Sequence, residues 1–203
     1  IPIAEACGAI VPIGEWVLQE ACRQAAAWQA AGLPPLVVAV NLSAVQFRRG
    51  NLEYTIERAL HASGLDPRWL ELELTESILL HGTSNMLQLV QRLKALGVKL
   101  SIDDFGTGYS SLSYLRQLAV DKLKIDQSFI RDMADNPDNA SIVRAVAQMA
   151  QSLHLRTIAE GVEEERVIDL LRACGCDEAQ GYHFARPMSA ETCAAFIRSI
   201  PRY

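Results

Sequence analysis

The sequence predicts an α/β fold in which a parallel sheet closes into a (β/α)8 barrel. Six short apolar segments each precede a segment with helical periodicity, and such a series implies parallel strands joined by right-handed crossovers. Polar residues stand at the ends of these segments, as in a barrel whose site lies at the C-terminal face of the sheet. Apolar residues make up 50% of the chain, which is enough for one sizeable core.

An open doubly wound sheet is the alternative architecture. It usually carries a phosphate-binding glycine fingerprint after its first strand, whereas residues 36–44 contain no glycine. A complete barrel has eight units in roughly 250 residues, and this chain of 203 residues offers six. We therefore expect residues 1–203 to form a single domain whose N-terminal part is missing, so that the sequence opens inside its own barrel.

Each strand is predicted from a short run of apolar or alternating residues. The first run is uniformly apolar, which is typical of a strand buried on both faces. The second alternates leucine with polar residues, and the third alternates before two adjacent aspartates. The strands are expected at residues 36–41, 70–75, 98–102, 122–125, 156–160 and 178–182.

The helices are predicted from apolar residues at helical spacing and from residues that start or stop helices. Gly32 and the prolines after it end the first helix, Gly97 closes the helix before the third strand, and Ser110 or Ser111 caps the helix after it. The helices are expected at about residues 13–31, 51–62, 83–95, 110–117, 138–153, 164–174 and 190–199.

The third strand leads into the stretch with the clearest chemistry, residues 98–115. Asp103 and Asp104 follow the strand directly, and carboxylates so close repel each other unless a cation separates them. Gly106 and Gly108 come next, and glycine permits backbone angles that other residues avoid, so this loop is a candidate hinge; an ordinary turn is the alternative. The aspartate pair therefore predicts a metal site beside a glycine-rich loop.

The ends of the six strands together offer one oxygen-rich cluster with one ammonium group. Oxygen ligands without nearby histidine or cysteine favour Mg²⁺ or Mn²⁺, and two such ions would clamp a phosphodiester for attack by water. Lys124 would hold or deprotonate that water. The candidate residues are Asn41, Glu73, Asp103, Asp104, Lys124, Glu160 and Gln180.

Other roles for these residues stay open at this point. Asn41 or Gln180 alone is better explained by bonding of loop amides or helix ends. Neutralisation of the carboxylates is the alternative role for Lys124, and it would still place Lys124 in the site. An enolase-like proton abstraction also uses strand-end carboxylates, Mg²⁺ and a lysine, and the residue types do not separate it from phosphodiester hydrolysis.

Composition excludes several other classes of function. The formal net charge is −5 and no cluster of Lys and Arg is present, which argues against a DNA or RNA surface. No apolar run reaches the roughly 20 residues that span a bilayer, so we expect no membrane contact within this chain. The five cysteines are scattered, as in proteins with reduced thiols, and a cytoplasmic domain is expected.

Six motifs in this sequence resemble those of the EAL domain family, bacterial phosphodiesterases of cyclic di-GMP, and they occur in the same order. The resemblance covers essentially the whole chain and implies a TIM-like barrel. The motifs are VNLSAVQF at 40–47, LELELTES at 70–77, DDFGTGYSSLSYL at 103–115, DKLKID at 121–126, AEGVE at 159–163 and QGYHFARP at 180–187.

The resemblance also implies roles for the candidate residues. Asn41, Glu73 and Asp103 are similar to metal ligands, with Asp103 bridging two Mg²⁺ or Mn²⁺ ions that Asp104 and Glu160 complete. By the same similarity Lys124 would position the hydrolytic water, and Gln180 would lie near the substrate. Glu76 would anchor the loop of Gly106 and Gly108, and the loop and helix after Asp104 would form a homodimer.

The activity that the resemblance implies is hydrolysis of cyclic di-GMP to linear pGpG. The family's Glu-Ala-Leu signature is expected before Ile1, so its glutamate ligand is not among these residues. The alternative is a receptor that binds the dinucleotide without cleaving it, as degenerate members of the family do. Every later acidic position is intact here, which favours hydrolysis; sensory or GGDEF-type domains and a membrane anchor in a longer protein stay open.

Overall fold

Six strands form one sheet whose order follows the chain, β1-β2-β3-β4-β5-β6. The computed structural model describes residues 1–48, 51–76, 84–108 and 112–200. Parallel pairing joins β3 to β4, β4 to β5 and β5 to β6. The strands are β1 Val38–Leu42, β2 Leu70–Thr75, β3 Lys99–Phe105, β4 Lys122–Ile125, β5 Arg156–Ala159 and β6 Glu178–Ala179.

The helices agree with the predicted order and differ at several bounds. Three short helices were not predicted, because each contains too few residues to show helical periodicity. They are Pro2–Ala6, Ala44–Arg48 and Gln127–Ile130. The described helices are α1 Pro2–Ala6, α2 Ile10–Ala30, α3 Ala44–Arg48, α4 Leu52–Ser63, α5 Ser84–Ala95, α6 Leu112–Gln117, α7 Gln127–Ile130, α8 Pro137–Ser152, α9 Glu165–Cys174 and α10 Ala190–Ser199. None of them is long and apolar enough to pass through a membrane.

The chain divides into two compact units. The first consists of Ile1–Glu73, Leu89–Lys99 and Pro187–Tyr203, and the second of Leu74–Gln88 and Leu100–Arg186. In the first unit α2 packs against α4, β1 and α3 and buries Leu18 and Cys22.

The core of the second unit lies among β4, β5 and the helices α7, α8 and α9. Ile125 and Ala159 from the strands pack with Ile130, Val143 and Leu171 from the helices, and all five are buried. Burial of these apolar side chains fixes the two strands against their helices, and hence the positions of the polar residues that follow the strands.

Two aspartates set the alignment of neighbouring strands in the second unit. Asp121, just before β4, accepts a hydrogen bond from the Leu100 amide of β3 at 2.8 Å. Asp177, just before β6, accepts one from the Thr157 amide of β5, also at 2.8 Å. Each carboxylate holds one amide near the start of the neighbouring strand, and so helps to fix the alignment of β3 with β4 and of β5 with β6 at that end.

The sixth strand is shorter than predicted. The sequence predicts residues 178–182, but pairing with β5 ends at Ala179. A Cβ atom on Gly181 would lie 2.1 Å from the Val162 carbonyl oxygen, so the chain here passes directly against the backbone after β5. This close crossing, which only glycine permits, turns the chain away from the sheet.

Candidate metal centre

A β-bulge on β3 presents the two adjacent aspartates. The pairing advances from Ile102 to Phe105 on β3 while it advances only from Leu123 to Ile125 on β4. The extra residue on β3 falls at the aspartates, and Asp104 takes a φ of 54°, which residues other than glycine rarely adopt. A bulge re-aims side chains that would otherwise alternate between the two faces of a strand.

Three carboxylates and one ammonium group meet where β3, β4 and β5 end. One carboxylate oxygen from each of Asp103, Asp104 and Glu160 lies within 4.8 Å of the other two. Lys124 Nζ lies 2.9 Å from Asp103 Oδ1 and 2.8 Å from Glu160 Oε1, and the lysine side chain is only 4% exposed. Lys124 therefore joins two strand ends and holds two of the carboxylates in place.

The third carboxylate of the cluster, Asp104, is disfavoured in its ionised form. Burial, followed by the charges of Asp103 and Asp126, raises the pKa of the Asp104 carboxyl above its usual range, although Lys124 acts in the opposite direction. The anionic form of Asp104 is therefore less favourable here than in water, because burial removes solvent from the carboxylate and the neighbouring carboxylates repel its charge.

Asp126, which follows β4, contributes a further carboxylate beside Asp104 that was not predicted from the sequence as part of the site. Burial raises its pKa, but hydrogen bonds from the Ser128 hydroxyl and amide and from Asp104 outweigh burial and lower it below the usual range. Asp126 directly follows β4, two residues after Lys124, and caps α7. That spacing was the signal available in the sequence.

Glu76 contacts the glycine-rich loop after β3. Glu76 Oε2 accepts hydrogen bonds from the Gly106 amide at 3.0 Å and from the Gly108 amide at 3.2 Å. Glu76 is 3% exposed, and a Cβ atom on Gly108 would lie 2.9 Å from its Oε1. The carboxylate therefore fits the loop only where position 108 has no side chain.

Gln180 follows β6, beside the end of β5. Its amide donates to the Ala159 carbonyl oxygen at 2.8 Å and its own carbonyl accepts from the Val162 amide at 3.0 Å. The residue is exposed. Hydrogen bonds on both sides of Glu160, the residue that follows β5, thus fix the Gln180 backbone.

Two of the remaining predicted residues belong to the first unit, and part of the predicted dimer surface lies outside the described residues. Asn41 on β1 and Glu73 on β2 belong to the first unit, where Asn41 is exposed and Glu73 is buried. The predicted dimer surface, the loop and helix after Asp104, includes residues 109–111, which lie outside the described residues.

The donor set of Asp103, Asp104 and Glu160 fits a divalent cation that prefers oxygen. It consists of carboxylates without histidine or cysteine, the ligands that Mg²⁺ and Mn²⁺ favour over zinc. Three carboxylates against one lysine leave an excess of negative charge, and the raised pKa of Asp104 reflects it. A cation placed among these oxygens would relieve that repulsion.

Comparison with known proteins gives a consistent picture. A model of the EAL domain matches residues 1–187. Two Pseudomonas aeruginosa proteins align over almost the whole chain: the bifunctional diguanylate cyclase/cyclic di-GMP phosphodiesterase MucR is 45% identical over 97% of it, and the cyclic di-GMP phosphodiesterase NbdA is 44% identical over 98%. The chain spans only 29% and 25% of the lengths of these two relatives.

Solved structures agree with this alignment. The PaMucR phosphodiesterase in complex with c-di-GMP has a TM-score of 0.91 and 46% identity, covering 95% of this chain and 78% of its own. The EAL domain of Mycobacterium smegmatis DcpA has a TM-score of 0.89 and 35% identity, covering 95% of this chain and 87% of its own. The strand ends described above therefore lie in a TIM-barrel-like α/β fold, as the sequence predicts.

Proposed function

Because this chain belongs to the EAL domain family, we propose that it hydrolyses cyclic di-GMP to linear pGpG at the carboxylate cluster of Asp103, Asp104 and Glu160. The observation that carries the proposal is the contact of buried Lys124 with Asp103 and Glu160, beside a third carboxylate that is disfavoured as an anion. Two relatives above 40% identity are named as cyclic di-GMP phosphodiesterases, which supports the same substrate.

The metal ligands in this proposal are oxygen donors. Asp103, Asp104 and Glu160 would hold Mg²⁺ or Mn²⁺, with Asp103 shared between two ions. Asn41 and Glu73 are included as further ligands on the strength of their motifs alone. When bound, the metal supplies an acidified water and positive charge for the phosphate oxygens.

Lys124 orients the reacting groups in this scheme. Its contacts with Asp103 and Glu160 keep both carboxylates at fixed positions, and its positive charge suits the orientation of a water for attack on phosphorus. Glu160 accepts from Lys124 and is the candidate to receive a proton from that water. Glu76 keeps the glycine-rich loop closed beside these groups, and Gln180 lines the substrate side.

The experiment is a comparison of matched variants by chromatography of pGpG with Mg²⁺ or Mn²⁺ supplied. Asp103→Asn and Lys124→Met should each lower kcat by at least about 100-fold, because each removes a group that acts on the reacting atoms. Asp132→Asn, an exposed aspartate in the same unit, is the control and should leave kcat unchanged. Full turnover by Asp103→Asn would contradict the assignment.

The same assay tests the receptor alternative. If the protein, with the segment upstream of Ile1 included, binds cyclic di-GMP tightly but releases no pGpG with either metal, it is a receptor and hydrolysis is excluded. The intact acidic residues at Asp103, Asp104 and Glu160 favour hydrolysis. A homodimer through the loop and helix after Asp104 stays part of the proposal.

A further inference from the structure

The turn that follows β1 is closed by a reciprocal pair of hydrogen bonds. The Ser43 amide donates to Gln46 Oε1 at 2.9 Å, and the Val45 amide donates to Ser43 Oγ at 3.1 Å. This is a capping-box arrangement, in which a serine and a glutamine three residues later satisfy the first amides of a helix. It begins α3, which has only five residues.

Two contacts from distant parts of the first unit hold this turn. The Ser43 hydroxyl donates to Glu5 Oε1 on α1 at 2.5 Å, across 38 residues of sequence. Gln46 is 7% exposed and lies against Gly14 of α2, where a Cβ atom would come within 2.1 Å of Gln46 Nε2. A helix as short as α3 is not stable by itself, so these contacts determine where the turn lies.

We infer that Glu5, Ser43 and Gln46 form a clamp that positions Asn41, two residues before Ser43. Val40 and Leu42, the residues on either side of Asn41, are both buried, so core packing and the clamp together anchor the chain around Asn41. The role of Asn41 as a metal ligand rests on the proposed function. Glu5, Ser43 and Gln46 are positioning residues, which act through the turn and touch neither substrate nor metal.

The geometry of the serine explains why Glu5 is needed. The Ser43 hydroxyl has one hydrogen to donate, and the carboxylate of Glu5 takes it. The lone pairs of Ser43 Oγ are then turned toward the Val45 amide, which caps the helix. Removal of Glu5 leaves the cap possible but frees the hydroxyl to rotate, whereas removal of Ser43 Oγ breaks both bonds.

The clamp gives Gly14 an unusual property. Alanine is the better helix former, so Gly14→Ala in the middle of α2 would ordinarily stabilise the helix. Here the added methyl group would displace Gln46 from the Ser43 amide. A substitution in α2 should therefore loosen a turn that follows β1.

The test measures two properties of the purified protein without using its activity. In metal-free protein, Gly14→Ala should increase hydrogen exchange at the Ser43 amide roughly tenfold, the effect of losing its hydrogen bond to Gln46. Glu5→Ala should increase exchange at the Val45 amide, because the Ser43 hydroxyl that caps it is then free to rotate. Calorimetric titration with Mn²⁺ should show at least about tenfold weaker binding, the usual loss when groups that orient a ligand are removed. Glu5→Gln, which keeps an acceptor for the hydroxyl, should restore most of both properties.

The control is Ser63→Ala at the end of α4. Ser63 Oγ also makes hydrogen bonds within one turn, to the Ala59 carbonyl and from the Leu65 amide, but none to the clamp. Its loss should leave Mn²⁺ binding unchanged.

Mn²⁺ binding within twofold of wild type in both Glu5→Ala and Gly14→Ala would overturn the clamp. If these variants weaken Mn²⁺ binding as expected while the wild-type protein hydrolyses no cyclic di-GMP, the proposed reaction fails and the clamp stands.

Discussion

Glu76 offers the sharpest test of how the glycine-rich loop is held. A hydrogen bond from an amide to a buried carboxylate contributes about 1.5–3 kcal/mol, so the bonds from Gly106 and Gly108 together contribute about 3–6 kcal/mol to docking of the loop. Glutamine keeps an acceptor oxygen but loses the charge, which about halves the free energy that each hydrogen bond contributes. Glu76→Gln should therefore lose about 1.5–3 kcal/mol and Glu76→Ala about 3 kcal/mol or more.

The assay is hydrogen exchange at the amides of Gly106 and Gly108, since a tenfold change corresponds to about 1.4 kcal/mol. Exchange should become about 10-fold to 100-fold faster in Glu76→Gln and at least about 100-fold faster in Glu76→Ala. Release of pGpG should fall in the same order, because the loop directly follows Asp103 and Asp104 and its detachment would loosen both carboxylates. Glu165→Ala, an exposed glutamate in the first turn of α9, is the control. Unchanged exchange at both glycines in Glu76→Ala, with full hydrolysis, would refute the reasoning.

Two further predictions concern charge and backbone space in the second unit. The raised pKa of Asp104 means that the folded protein holds that proton more tightly than the unfolded chain, so stability is lost as pH rises through the raised pKa. Asp104→Asn should therefore raise the unfolding temperature of metal-free protein at neutral pH and have little effect below the ordinary pKa of 3.8; an equal shift at both pH values would contradict this. Gly181→Ala should cost about 3 kcal/mol in urea unfolding, because the methyl group meets the Val162 backbone, and should lower hydrolysis. Gly175→Ala, at a φ of 82° with open space around it, should cost only about 1 kcal/mol, and equal losses would count against the close crossing.

Much of the fold could be predicted because strands and helices are encoded locally. The predicted bounds of β2 and β4 agree with the structure, and α10 begins and ends as expected. Helices α1, α3 and α7 were missed because four or five residues are too few to display a period of 3.6. The predicted length of β6 was wrong because Gly181 passes directly against the Val162 backbone, a contact between distant residues that turns the chain away from the sheet.

The residue types of the candidate site could be predicted from the sequence, but the positions of these residues relative to one another could not. Parallel strands carry their C-terminal ends to one edge of a sheet, so the chain by itself indicated that Asp103, Lys124 and Glu160 would meet. Asp126 was not assigned because its role depends on a contact with Asp104, a residue of another strand.

The sequence by itself determined the order of strands and helices, the oxygen-rich chemistry of the strand ends and the family. These follow from side-chain periodicity and from motifs, both of which are local. Only the tertiary structure decided that the aspartates stand on a bulge with Asp104 at positive φ, that Lys124 holds Asp103 and Glu160, and that Glu5 reaches Ser43. The physical reason is that strand register and hydrogen bonds between distant residues depend on how the whole core packs, which no short stretch of sequence specifies.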